Sequence, residues 1–367
     1  MFFKKFATFA LISFSLLVFA CESAEENVTE IVAPEDNTTE IAVEKEIVEK
    51  INVLATTPMI AEYVRQVGND NIDLNILMPY SADPHSFEAS PQDAKKIADA
   101  DLVFYVGLKY ESANLVELLE NSVSSEDILI EIGPSIDPIE FSEEGHEGHD
   151  DHEGHDHGIY DPHFWFDPIR VSMAVEVIKD ELIKNDSANL ASYESAANSY
   201  VQTLETLDQN VTEMISTIPA ENRKIITTHE ALGYLEAKYD IEVLTTIIPS
   251  LNSEDGITPQ SLKNAIDVIE KNHIEVMFLE AESSSQYSEV IEQETGIKLV
   301  SGLWVETLQE NQSYVDWLES NVTIIVDNLP TEIHDDHDDD HDHDHDHDDD
   351  DHDDDDHDDD DHEDDKQ

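Results

Sequence analysis

The sequence predicts an α/β protein of two lobes, each a mostly parallel sheet flanked by helices, the two joined by a long rigid linker helix. Three observations predict it. Short apolar runs of strand length alternate with amphipathic, helix-spaced stretches over 51–187. Residues 169–216 then contain neither proline nor glycine and are rich in Ala, Leu, Glu and Lys. Finally, strand–helix alternation resumes over 218–330. The resulting division is a signal peptide over 1–20, an acidic tether over 21–50, an N-terminal lobe over 51–187 carrying a His-rich loop at 142–158, a linker helix over 188–217, a C-terminal lobe over 218–330 and an Asp/His-rich tail over 331–367.

The elements follow in chain order. INVLATT (51–57) reads as a buried strand; Thr57 suits a helix N-cap and Pro58 the first helical turn, with Met59, Ile60, Tyr63, Val64 and Val67 forming one apolar face. Ser90 and Asp93 resemble a capping box with Pro91 at its first position, opening a helix through AKKIAD that leads into the strand LVFYVG (102–107). ILIEIG (128–133) is another strand candidate. Between Pro168 and Ser216 two helices are expected, the second long and uninterrupted over roughly 192–216. KIITT, a helix from Glu230, VLTTIIP, a helix opened by Thr258 and Pro259, VMFLE, a further helix, KLV and a last helix over about 313–328 complete the second lobe.

Charge bounds the function. The 367 residues carry a formal net charge of -69, and phosphate repulsion excludes nucleic acid as a partner. The tail from 334 onward holds 23 acids and one lysine, and a large acidic excess remains on the folded part. Lys4 and Lys5 followed by the apolar run FATFALISFSLLVFA read as an export signal, too short for a membrane span of about 20 residues. VFAC (18–21) resembles a bacterial lipobox, although Phe19 is bulkier than that pattern usually carries; lipidation of Cys21 would anchor the protein to a membrane, and a plain signal peptide with a chance cysteine is the alternative. Cys21 is the only cysteine; its lipidation would leave the mature protein without a thiol and exclude disulfides and thiolate metal sites.

Eighteen histidines concentrate in two low-complexity segments, five in the loop before Tyr160 and nine in the tail. Four stand outside them: His85, His163, His229 and His273. The first three each lie at or just after a predicted strand, where ligands bind in open α/β sheets. Three imidazoles and a carboxylate would suit a borderline cation such as zinc. His273, at a helix end before a strand, reads as a C-capping or surface residue. Asp161 and Asp167 are equal candidates for an acceptor behind His163 and for a turn or cap residue, and Phe164 and Trp165 read as packing between lobes.

ADPHSFEASPQDAKKIADADLVFYVGLKYE (82–111), DPHFWFDP (161–168), TTHEALGYLEAKYDIE (227–242) and VMFLEAESSSQYSEVIEQETGIKLV (276–300) together resemble, in order, the metal-binding solute-binding proteins that serve ABC importers for zinc and manganese, specifically the zinc branch. The resemblance implies that His85, His163 and His229 are metal ligands. It also implies zinc over manganese, because the manganese branch typically has glutamate where His229 stands, and imidazole favours zinc. The family often supplies a late aspartate as fourth ligand; its register falls on Glu306, a departure from aspartate, with Glu280 or a water as the competing fourth ligand. The implied protein is a monomer with no enzymatic activity that captures zinc outside the cytoplasm and delivers it to a membrane permease, with the His-rich loop and tail collecting or buffering zinc at low affinity. The rival readings are a surface zinc buffer or adhesin without a transport role, manganese specificity, and a zinc hydrolase; the last has no HExxH, although His229 and Glu230 begin one.

Overall fold

The computed structural model describes residues 50–80, 82–141, 160–282 and 287–331, apart from the side chain of Glu254. The export segment, Cys21, the His-rich loop and all but the first residue of the Asp/His tail lie outside the described residues, as does all of the tether except Lys50. Among the described residues no helix is long and apolar enough to cross a membrane.

The first lobe is a four-stranded sheet in the order β2-β1-β3-β4, every pairing parallel: β1 (Ile51–Ala55), β2 (Ile72–Ile76), β3 (Leu102–Tyr105) and β4 (Leu129–Glu131). Side chains alternate between faces along a strand, and here both faces are covered. Val53, Ala55, Leu102 and Phe104 enter one apolar cluster, against Met59, Ile60, Tyr63, Val64 and Val67 of α1 (Pro58–Gly68). Leu54 and Val103 enter another, against Ile97 of α2 (Pro91–Ala98) and Leu115 and Leu119 of α3 (Ala113–Ser122). The predicted caps form: Thr57 Oγ1 accepts from Ile60 N at 3.2 Å, and Ser90 N donates to Asp93 at 2.9 Å. Each such cap contributes about 1 kcal/mol. β2 is the strand that the pattern reading misses. It is an edge strand whose Asp73 and Asn75 break up the apolar run that marks a buried strand.

Two helices fill the Gly- and Pro-free stretch. α4 (Pro168–Asn185) starts from Asp167, whose carboxylate accepts from Ile169 N at 3.0 Å. α5 (Leu190–Ile215) runs 26 residues and buries Tyr193, Ala197, Tyr200, Leu204, Leu207, Val211 and Ile215, a stripe of three- and four-residue steps. The stripe packs on α1 and α4 and on the final helix, α9 (Tyr314–Asn328), so one apolar cluster runs through both lobes.

The second lobe contains two parallel strand pairs, β5 (Lys224–His229) with β6 (Glu242–Ile248) and β7 (Val276–Glu280) with β8 (Lys298–Leu303). α6 (Gly233–Tyr239), α7 (Pro259–Asn272) and α8 (Ser288–Thr295) connect them. α6 begins three residues later than the pattern suggests: Glu230 N donates to Ser250 O, beyond the end of β6, at 3.0 Å, and the chain turns tightly at Ala231, whose N donates to His229 O at 2.9 Å. β5 and β7 lie side by side, and their ends are joined through side chains: His229 N donates to Glu280 Oε1 at 2.9 Å and Glu280 N donates to Thr228 Oγ1 at 3.3 Å.

Candidate metal centre

In the order β2-β1-β3-β4 the chain leaves β1 and β3 in opposite directions, which opens a crevice beyond their carboxyl ends. The first lobe's polar groups gather there. His85 lies on the loop after β2, where Asp83 Oδ1 accepts from its backbone N at 2.9 Å. Tyr110 follows β3. His163 precedes α4, in the buried run Phe164, Trp165 and Phe166. From the second lobe come His229, the last residue of β5, and Glu306, on the loop after β8.

These side chains meet. Glu306 Oε1 lies 2.7 Å from His229 Nε2, 3.3 Å from His163 Nε2 and 3.4 Å from His85 Nε2, and one ligand atom from each of the four residues lies within 4.8 Å of every other. Zinc bonds of 2.0–2.1 Å give tetrahedral edges of about 3.3 Å, so two of the three spacings already match. His85 Nε2, His163 Nε2, His229 Nε2 and Glu306 Oε1 are all buried without a hydrogen bond of sound geometry. Four converging polar atoms left unpaired are destabilising unless something charged satisfies them.

The remaining atoms of these groups are paired. Asp161 Oδ1 accepts from both His163 N at 2.8 Å and Nδ1 at 2.7 Å. Glu280 accepts from His229 N at 2.9 Å and Nδ1 at 2.6 Å. An ionised carboxylate can only accept, so both neutral rings carry their proton on Nδ1 and aim an Nε2 lone pair at Glu306. Tyr110 OH donates to Glu306 Oε2 at 3.0 Å, leaving Oε1 to the imidazoles. The rings of Tyr110 and Trp165 pack edge-on against His163 at 5.9 and 5.5 Å and shield the cluster from water. Gly233 lets α6 approach Asp161, because a Cβ there would stand 2.6 Å from Asp161 Oδ2.

Electrostatics follows from burial among like and unlike charges. Burial opposes protonation of His163, but Glu306 and Asp161 outweigh it and raise its pKa to about 9. Burial likewise opposes a charge on His229, and Glu280 and Glu306 override it, so its pKa is also raised. Burial disfavours the Glu306 carboxylate, yet the neighbouring imidazoles hold it well below the usual carboxylate range. Burial and the Glu306 charge push Glu282 up to about 8, against the backbone N–H groups it accepts from. The Glu306 charge and the imidazolium forms of His163 and His229 therefore favour one another.

The structure places the residues singled out by the pattern as follows. Glu280, the competitor for the fourth position, sits behind His229, while Glu306 supplies the converging oxygen. Asp161 is the acceptor behind His163 and Asp167 the helix cap. His273 ends α7 in a left-handed conformation, φ 53°. The pattern does not single out Tyr110 and Glu282, whose partners are reached only through the fold, nor Asp83, whose local bond to His85 N looks like an ordinary turn and whose second partner, Ser253, is 170 residues away.

The fold and the cluster define a two-lobed α/β metal-binding protein. Residues 53–328 match the family described as "Zinc-uptake complex component A periplasmic", and the chain belongs to that family. It is a substrate-binding component of a metal ABC transporter and not an enzyme. Similar curated proteins include the manganese ABC transporter substrate-binding lipoprotein PsaA of Streptococcus anginosus, 26% identical over 289 residues, covering 77% of this chain and 90% of that protein. Another is the manganese-binding lipoprotein MntA of Halalkalibacterium halodurans, 24% identical over 285 residues, covering 77% of this chain and 89% of that protein. Among solved structures, the periplasmic zinc-binding protein TroA of Treponema pallidum superposes with a TM-score of 0.66 at 22% identity, covering 76% of this chain and 99% of that one. Fe(III)-bound YtgA of Chlamydia trachomatis gives 0.65 at 22%, covering 77% and 100%. At these identities the superpositions carry the fold alone.

Proposed function

We propose that this protein captures zinc outside the cytoplasm and hands it to a membrane permease, with His85, His163, His229 and Glu306 as the ligands. The observation that supports this most is the set of four buried, converging atoms without hydrogen bonds, two of them on rings whose other nitrogen is held by a carboxylate. Two ligands come from each lobe, so the ion would bridge the cleft and stabilise the closed arrangement. Zinc entering must displace the protons held by His163 and His229, and protons returning would assist release.

Zinc is favoured over manganese by three imidazoles and by the engagement of Glu306 Oε2 with Tyr110, which together leave four donor atoms for the ion. Manganese is the second reading, since PsaA and MntA are named for it. Competition between the two metals on purified protein, with His229→Ala and Glu306→Ala beside it, tests the assignment. Tight zinc binding lost in both variants is expected; tight binding retained by both would refute the ligand set, and manganese displacing zinc would refute the specificity.

We also propose, from the sequence, that Cys21 is lipidated and tethers a monomer to the membrane, and that the His-rich loop and tail gather zinc at low affinity. Deleting both segments should remove weak zinc sites and leave the tight one.

A further inference from the structure

Glu306 sits on an irregular loop, yet the backbone of that loop is held on all sides. Trp304 N donates to Asn321 Oδ1 at 2.9 Å and Asn321 Nδ2 donates to Trp304 O at 2.7 Å, fixing the loop to α9. The first lobe holds its carbonyls: Trp165 Nε1 donates to Val305 O at 2.7 Å, and the Tyr110 hydroxyl that donates to Glu306 Oε2 also lies 3.1 Å from Glu306 O, its one proton shared between the two. The three consecutive N–H groups that follow all converge on one carboxylate. Val305 N donates to Glu282 Oε2 at 3.3 Å, and Glu306 N and Thr307 N donate to Glu282 Oε1 at 3.1 and 3.3 Å. Successive N–H groups aimed at one point form an anion-binding nest, here filled by the protein's own side chain.

Glu282 lies two residues beyond Glu280, on chain that still pairs with β8 through Ala281 N and Leu303 O at 2.6 Å. The chain bends at Ala281 and Glu282, just past the end of β7, and brings the Glu282 carboxylate to the loop after β8. One carboxylate of the Glu280-Ala281-Glu282 run therefore holds His229 by its N and Nδ1, and the other holds the loop that carries Glu306. The end of β7 thus governs both second-lobe members of the cluster, one through its ring and one through its backbone.

We infer that Glu282 is a positioning residue for the fourth ligand: by filling the nest of Val305, Glu306 and Thr307 it directs Glu306 Oε1 at the three imidazoles and keeps the site four-coordinate. The inference rests on the reading of Glu306 as a ligand. With the nest released, Glu306 would be free to turn both oxygens toward an ion, a geometry closer to what manganese accepts than to a zinc tetrahedron.

The test compares Glu282→Ala, which removes the acceptor of all three N–H donors, with Glu282→Gln, which retains Oε1 and loses only the bond from Val305 N. Zinc affinity by chelator competition should fall about 10–100-fold in Glu282→Ala and less in Glu282→Gln, the range typical of groups that orient ligands. The preference for zinc over manganese should narrow in the same order. Cobalt(II) loading gives a readout that mere destabilisation would not move: the strong visible bands of a tetrahedral ion should weaken in Glu282→Ala as coordination rises. Unchanged affinity and cobalt bands in folded Glu282→Ala would overturn the inference, as would weaker binding with unchanged bands and a matching loss of metal-free melting temperature. If Glu282→Ala does not fold, the same readings on Glu282→Gln decide. Tight binding in Glu306→Ala would instead overturn the ligand assignment beneath it, a failure visible separately from that of Glu282.

Discussion

His163 and His229 are held alike, and His85 is held differently. In each of the first two, a single carboxylate takes both the backbone N–H and the ring Nδ1–H of the same histidine. That grip sets the tautomer and the rotation of the ring together. For His85, Asp83 takes the backbone N–H alone, and the ring is set by edge-on packing against Tyr110 at 5.2 Å. The other Asp83 oxygen accepts from Ser253 Oγ at 2.8 Å, on the second lobe, so the His85 loop is pinned across the cleft. Two imidazoles are thus aimed before any ion arrives, and the third depends on contact between the lobes.

The comparison breaks first at the proposed ligands. His229→Ala should produce the largest loss of zinc affinity, beyond the 10–100-fold typical of orienting groups, because it removes a donor and leaves Glu280 buried without the Nδ1–H it accepts. Chelator competition measures it, and near-native affinity would remove His229 from the site. Next come the carboxylates behind the gripped rings. Glu280→Gln and Asp161→Asn should each weaken zinc binding about 10–100-fold with the fold intact. Gly233→Ala should act in the same direction as Asp161→Asn, since its new methyl group would press on Asp161 Oδ2. Equal effects of these changes and of changes at Asp83 would erase the distinction between gripped and ungripped rings.

Three of the four converging residues are legible in the sequence because each histidine sits inside a short recognisable stretch, clear of the acidic repeats; the expected strand-end setting holds for His229 alone, since His85 lies nine residues past β2 and His163 directly precedes the turn that leads into α4. Glu306 is legible only by register, and its choice over Glu280 needs the fold, since both are buried carboxylates beside a strand end. What holds these groups is less legible still. Tyr110 meets Glu306 across 196 residues of chain and the nest at Glu282 is made of backbone N–H groups, which no residue-type pattern encodes. Among fold elements the long helix and the buried strands declare themselves by apolar spacing. The edge strand β2 does not, because Asp73 and Asn75 interrupt its apolar pattern.

A graded effect concerns pH. His163 is raised to about 9 and His229 is raised as well, so below about pH 9 zinc must displace protons and its apparent affinity should fall with falling pH, by up to about tenfold per unit for each displaced proton. Stability of the metal-free protein runs the other way. A raised imidazole pKa adds stability that is full below its unfolded value near 6.5 and is lost as pH rises through about 9. The lowered Glu306 adds stability present above its unfolded value near 4.5 and lost as pH falls through its lower folded value. Metal-free melting temperature should therefore decline from pH 6.5 to 9 while zinc affinity climbs. Parallel trends would mean that the imidazoles are neutral in the metal-free protein.

The smallest effect belongs to the pin across the cleft. Ser253→Ala removes one hydroxyl donor from Asp83 Oδ2 and leaves the bond from His85 N to Oδ1 untouched. A single hydrogen bond of this kind contributes about 1 kcal/mol, so zinc affinity should fall by roughly fivefold at most. The change should appear in the dissociation rate, because the pin acts only when the lobes are together, and stopped-flow release into excess chelator would resolve it. Asp83→Ala should exceed Ser253→Ala, since it also frees the His85 backbone. A Ser253→Ala rate equal to that of the unaltered protein would mean that His85 is held by Tyr110 and its own loop, and that it is as well aimed before capture as His163 and His229.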